Sequence, residues 1–122
     1  MQNWSVAITH TFAGLPVADH TAAHDWYARL LGREADMYPH DRESVWQLTP
    51  TSSIYVAEDP VRAGSALVTL ALDDLDAHER RLRDAGFTFT EETSGSAPRR
   101  LILSDLDGNR LAFFEDPSPT DE

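Results

Sequence analysis

Apolar and polar positions alternate from about Ala7 to Val17, with Ala13, Leu15 and Val17 on one side and Phe12, Gly14 and Pro16 on the other. A period of two with unlike faces predicts a strand. At Asp19 the period changes. The Asp predicts an N-cap, and Ala23, Trp26, Tyr27, Leu30 and Leu31 form the apolar stripe of a helix over about 20–31 that Gly32 ends. Three short strands follow, near 33–38, 43–48 and 52–57, with Pro39-His40-Asp41 and Thr49-Pro50-Thr51 as the turns between them. Residues 60–65, with Gly64, form a linker. The plan then recurs. An apolar strand over 66–72 leads to a helix capped by Asp73 or Asp74, whose Leu75, His78, Leu82 and Ala85 share one face and which Gly86 ends. Strands over 88–91, 99–104 and 110–114 complete it. Met1–Ser5 reads as a loose start, Thr93–Pro98 as a mobile loop and Pro117–Glu122 as a frayed acidic tail.

Two spacings indicate one unit used twice. Glu58-Asp59-Pro60 and Glu115-Asp116-Pro117 are 57 residues apart, while Leu15, Val17, Asp19 and Ala22 correspond to Leu70, Leu72, Asp74 and Ala77 at a spacing of 55. Asp107-Gly108 with Asn109 behind it is a tight turn feeding the last strand, because these residues take positive φ at little cost. The expected fold is α+β: two tandem β-α-β-β-β units, residues 6–60 and 65–117 of a single domain spanning 1–122. Each unit has a mixed sheet with its helix on one face and the other face free.

Composition narrows the chemistry. The chain has 122 residues and no cysteine, which excludes disulfides, thiolate metal sites and a cysteine nucleophile, and fits a reducing cytoplasm. No long apolar run and no charged-then-apolar leader occurs, so neither a membrane span nor a signal peptide is expected. With 10 basic and 21 acidic residues the net charge is −11. That opposes nucleic acid and anionic membranes as partners and permits a cationic ligand, although a solvated acidic surface also serves solubility alone.

The order of the words Leu15-Pro16-Val17-Ala18-Asp19, Trp26-Tyr27-Ala28-Arg29-Leu30-Leu31-Gly32, Val68–Leu75, Asp84-Ala85-Gly86-Phe87 and Asp105-Leu106-Asp107-Gly108-Asn109 resembles the vicinal oxygen chelate superfamily, the glyoxalase/bleomycin-resistance/dioxygenase group. The resemblance spans about residues 10–116. It implies that the free sheet faces curl around a cavity and that two chains pair as a homodimer. It also implies four matched positions, one on the first and one on the last strand of each unit, where metal-using members carry ligands. Here those positions are Phe12, Tyr55, Leu67 and Ala112. Divalent metals need several imidazole or carboxylate donors aimed at one point, and none of these side chains supplies one. No metal and no cofactor are therefore expected.

Alternation turns Phe12, Gly14, Ser53, Tyr55, Leu67, Thr69, Arg110, Ala112 and Phe114 to the free faces, with His10 at one end; Trp46 falls on either side because no repeat fixes its register. The candidate ligand-binding residues are accordingly His10, Phe12, Trp46, Tyr55, Thr69, Arg110, Ala112 and Phe114. Aromatic surface with a few polar tips suits a flat organic ligand; it also suits simple filler between the units. The first functional reading is a metal-free protein of the bleomycin-resistance type that sequesters a small aromatic, antibiotic-like or metabolite ligand. The alternative is a lyase, isomerase or dioxygenase with a relocated metal site, or a metal-free acid–base site using His10, Tyr55 or Arg110.

Overall fold

A computed structural model of the chain describes residues 6–93 and 99–116. The expectations for Met1–Ser5, for most of the Thr93–Pro98 loop and for the Pro117–Glu122 tail lie outside the described residues. Ten elements follow in order: β1 (Thr11–Val17), α1 (His20–Leu31), β2 (Met37–His40), β3 (Glu43–Thr49), β4 (Ser52–Glu58), β5 (Leu67–Leu72), α2 (Leu75–Asp84), β6 (Glu91–Thr93), β7 (Arg100–Ser104) and β8 (Arg110–Glu115). They form two mixed four-stranded sheets of the same order, β1-β4-β3-β2 and β5-β8-β7-β6. In each, the first strand runs parallel to the last and the remaining neighbours are antiparallel.

The two spacings in the sequence are spacings in register. Phe12 pairs with Ser53 and Gly14 with Tyr55; raising the first member by 55 and the second by 57 gives Leu67 with Arg110 and Thr69 with Ala112, which also pair. The caps repeat as well. Asp19 accepts from Ala22 N and Asp74 from Ala77 N, each with its side chain, at 3.3 and 3.0 Å. Glu58 accepts from His20 N at 3.1 Å and Glu115 from Leu75 N at 3.0 Å, so the acidic residue ending each sheet's last strand holds the first N–H of its own unit's helix. Carboxylates at that end also complement the helix dipole. Asp59 N and Asp116 N then donate to Val17 O and Leu72 O, both at 2.8 Å. The Glu-Asp-Pro repeat is thus a fastening between last strand, first strand and helix.

One continuous core lies between the helix-facing sides of the sheets. Leu15, Val17, Trp46, Ile54 and Val56 come from the first sheet, Leu101, Leu103, Leu111 and Phe113 from the second, and Tyr27, Leu30, Leu75 and Leu82 from the helices. Where β1 was expected to begin at Ala7, pairing starts at Thr11, whose N–H bonds Thr51 O, because the preceding residues have no strand beside them. The second strand begins at Met37 instead of Arg33. Asp36 is held by both the Arg33 guanidinium and Gln47 N, so the chain turns before it pairs. Pro39 is tolerated inside β2 since β2 is a sheet edge. Likewise β6 starts at Glu91, although Thr90 N already donates to Ile102 O. Among the described residues, no helix is long and apolar enough to cross a membrane.

The two units are joined at the β7–β8 turn. Asn109, fully buried, donates through Nδ2 to Pro16 O at 2.7 Å and to Asp105 Oδ2 at 2.8 Å, and its Oδ1 accepts from Ala66 N at 2.9 Å. The Asp105 carboxylate also accepts from Tyr27 OH at 2.7 Å and from the N–H groups of Asp107 and Asn109. Burial and this carboxylate push the Tyr27 phenol far above its ordinary pKa. Asn109→Ala would leave Ala66 N without that partner and Pro16 O with the longer bond from Gly64 N at 3.3 Å. Each unmet buried group costs about 1–3 kcal/mol, so the expected loss is about 3 kcal/mol, read as a fall in urea midpoint at unchanged m-value.

Candidate functional site

The faces turned away from the helices are where the sequence placed a site. On the first sheet, Phe12, Gly14, Ser53, Tyr55, Val45 and Gln47 share that face by register. Phe12 is 54% exposed. Tyr55 lies across β1 at Gly14: a Cβ built there would stand 2.6 Å from the Tyr55 Cζ and Oη, so the missing side chain is what lets the ring lie down on the strand. His10 folds over the same end. Its Nε2 and Ser53 Oγ share a hydrogen bond of 2.8 Å, and its ring lies 4.5 Å from that of Phe12, centroid to centroid. His10, Phe12, Ser53 and Tyr55 thus make one aromatic platform, with Ser53 nearly buried beneath it.

On the second sheet the equivalent face carries Leu67, Thr69, Ala71, Ile102, Arg110, Ala112 and Phe114. It is largely aliphatic. Ala112 and Ile102 are buried, Leu67 is 55% exposed, and Arg110 is engaged by Glu91 through a 3.1 Å ion pair. That pair is exposed and worth about 0–1 kcal/mol. Trp46, whose side the sequence left open, points the other way. It is fully buried in the core, donates from Nε1 to Arg33 O at 3.0 Å and packs beside His24 and Tyr27. It is therefore unavailable to a ligand on the outer face, because its partner on β4 is Ile54 and not Tyr55.

A second concavity lies on the helix-facing side, between the edge strands of the two units. It is a recess of about 480 Å³ bordered by Ala13, Ile54, Val68, Leu70, His78 and Phe113 among others. Of the eight residues singled out from the sequence, Thr69 alone borders it. Nothing in the period-two pattern marked this recess, since its walls come from five strands and both helices.

The sequence profile of the Glyoxalase/Bleomycin resistance protein/Dioxygenase superfamily matches residues 7–113. The chain belongs to this superfamily. A glyoxalase/bleomycin resistance protein from Catenulispora acidiphila DSM 44928 is 38% identical, with a TM-score of 0.84 over 88% of this chain and 98% of that one. TnmS3, an antibiotic binding protein from Streptomyces sp. CB03234, shares the fold at 24% identity and a TM-score of 0.71, over 93% of this chain and 98% of that one. A bleomycin-binding protein complexed with bleomycin does so at 21% identity and a TM-score of 0.65, over 91% and 99%. No curated protein matches the sequence.

Membership raises the question of a metal, which glyoxalase and dioxygenase relatives use. The residues here do not fit one. Phe12, Tyr55, Leu67 and Ala112 offer an arene, a phenol and two aliphatic groups. Among the described residues, no group of three or more His, Asp or Glu side chains is gathered closely enough to hold a cation. His20 and His24, the one helical His pair, are committed to Ser44 and to Tyr38, Asp25 and Glu34.

Two outcomes follow. Gly14→Ala should leave stability within about 1 kcal/mol, since the clash falls on the movable end of a side chain and alanine suits a strand better than glycine. It should nevertheless lift the Tyr55 ring off β1, visible as changed aromatic proton shifts of Tyr55. His78, beside the recess, has its pKa lowered from 6.5 to about 4 by burial first and then by the Arg81 charge. The unfolded chain takes up this proton near pH 6.5 and the folded chain near 4, so the contribution is intact above 6.5 and lost as pH falls toward 4. Thermal melts over that window should fall less steeply for His78→Leu than for the native chain.

Proposed function

We propose that this member of the superfamily is a small-molecule binding protein that sequesters a flat, largely apolar, antibiotic-like or metabolite ligand without transforming it. The observation that carries this reading is the content of the four matched strand positions. The free faces offer an arene, a phenol and aliphatic surface where metal chemistry would need imidazole or carboxylate. Aromatic rings backed by a rigid sheet give contact area at little entropic cost, and His10, Ser53, Thr69 and Arg110 supply polar tips for orientation. The fold shared with antibiotic- and bleomycin-binding proteins supports the same reading.

In this proposal the first sheet stacks the ligand on Phe12 and Tyr55, and the aliphatic second sheet of a second copy, with its Phe114, receives the other side. Large apolar groups remain on the surface of a single chain: Ile8 at 76% and Phe12 and Leu67 at more than half exposure. A second copy of the chain would cover them and close the site. Sedimentation at tens of micromolar (about the range for a specific interface) should accordingly show a dimer; a monomer would count against the closure.

The test is calorimetric titration with a panel of aromatic antibiotics that includes bleomycin. Stacking contributes about 0.5–1.5 kcal/mol beyond area burial. Phe12→Ala or Tyr55→Ala should thus weaken binding of a retained compound by up to about tenfold. Unchanged affinity in both variants, or no binding by any compound, removes the stacking site. A cationic compound should also associate more slowly as salt rises, because the −11 charge steers it over about 10 Å at 0.1 M.

A further inference from the structure

The recess between the units has properties that the outer faces lack. Its volume, about 480 Å³, lies within the span of small-molecule sites, about 300–1,000 Å³. In a chain with 25% charged residues, not one Asp, Glu or Arg among the described residues borders it. Its apolar walls include Leu31, Leu48, Ile54, Val68, Leu70 and Phe113, with threonine and serine residues of β1, β3, β4 and β5 also lining it.

His78 is its one imidazole among the described residues. The ring packs on Phe113 at a centroid distance of 4.5 Å, and Nε2 is buried with no hydrogen-bond partner among the described residues. Buried polar nitrogens are almost always paired, so one left unmet beside an apolar hollow points to a missing partner. β5 points the same way. Its helix-facing Val68, Leu70 and Leu72 are only half-buried, whereas the equivalent Leu15 and Val17 of β1 are fully enclosed. The hollow is thus a local loosening of the second unit's packing on a plan that the first unit fills.

From this geometry we infer that the recess is a second ligand site, which shares Ser53, Thr69 and Ala71 with the outer sheet faces but has its body on the helix-facing side, taking a neutral, largely apolar small molecule that carries one hydrogen-bonding group for His78. A charged ligand would lose its hydration with no counter-ion in the walls to replace it. An aliphatic or aromatic body fills the space against Leu70 and Phe113, and a hydroxyl, carbonyl or amide meets the imidazole once the ring turns toward it. The absence of a proton on His78 at neutral pH fits a neutral partner. This site does not rest on the reading of the outer faces, and either can fail alone.

The probe is N-phenyl-1-naphthylamine, a neutral fluorophore, titrated into the native chain with amide shifts followed in parallel. Its fluorescence should rise saturably, with the shifted amides concentrated at 68–72 and around His78. Leu70→Phe, which fills the recess, should weaken it by about tenfold or more. In competition, 1-naphthol should displace the probe better than naphthalene, and His78→Leu should abolish that preference while the probe still binds. The inference is overturned if fluorescence does not saturate or if the shifts fall on Phe12, Tyr55 and Ala112 instead. It is equally overturned if the naphthol preference survives in His78→Leu. Should Leu70→Phe prove unfolded by circular dichroism, the shift map on the native chain and the competition decide.

Discussion

The fold depends on how one short turn reaches across the molecule. Asn109 contacts Pro16 at the end of β1 and Ala66 at the start of β5, and Asp105 reaches Tyr27 on α1. No apolar contact could fix these groups so narrowly, because hydrogen bonds are directional and packing is not. The partners use both Nδ2 donors and one acceptor site of Oδ1, so the Asn side chain is buried with every N–H matched and its oxygen bonded. Gly64 makes the approach possible. A Cβ there would stand 2.2 Å from Asp107 O, and its φ of +87° is one that glycine adopts freely. Linker, turn and first helix are therefore locked as a set, and the relative placement of the two sheets, on which any site between them depends, follows from it.

Within each unit a second constraint acts. The first strand is parallel to the last, so the helix must cross back, and its first N–H falls beside the end of the last strand. Glu58 and Glu115 occupy that point and bind the orphan donor of the helix. The core faces of both sheets are consequently pinned to their helices, and each outer face is released from any role in the chain's own helix packing. That freedom is where members of one superfamily can diverge without unfolding. Here it has been used for rings and aliphatic groups, backed by a glycine that lets a tyrosine lie flat.

The molecule also separates its electrostatics sharply. Ion pairs such as Glu79 with Arg83 and then Arg99, and Asp36 with Arg33, stay at the surface and draw the pKa values of Glu79 and Asp36 below the ordinary carboxylate range. Acidic excess elsewhere keeps the surface strongly negative. Among the described residues, the hollow beside His78 has no charged wall. A ligand drawn by charge and a ligand held by apolar contact would therefore find different parts of the same chain.

Much of this was legible in the residues. Alternation through Ala13, Leu15 and Val17 assigned the buried face of β1 before any coordinate, because a strand has only two faces and one of them must be apolar. The repeats at 55 and 57 contained the strand register, since an offset that is constant along each strand carries the pairing of one copy onto the other. Gly32 and the two capping aspartates marked helix ends by chemistry that is local. Other features were not local. The side taken by Trp46 depends on β3 pairing with Ile54 and on a carbonyl at Arg33, two contacts set by tertiary register. The late start of β2 turns on Asp36 bonding Gln47 N, eleven residues away. The pairing of His10 with Ser53 joins segments that no spacing rule relates, and the recess takes its walls from both units at once. Periodicity encodes which way a side chain faces along its own element; what it meets there is decided only when separate elements pack.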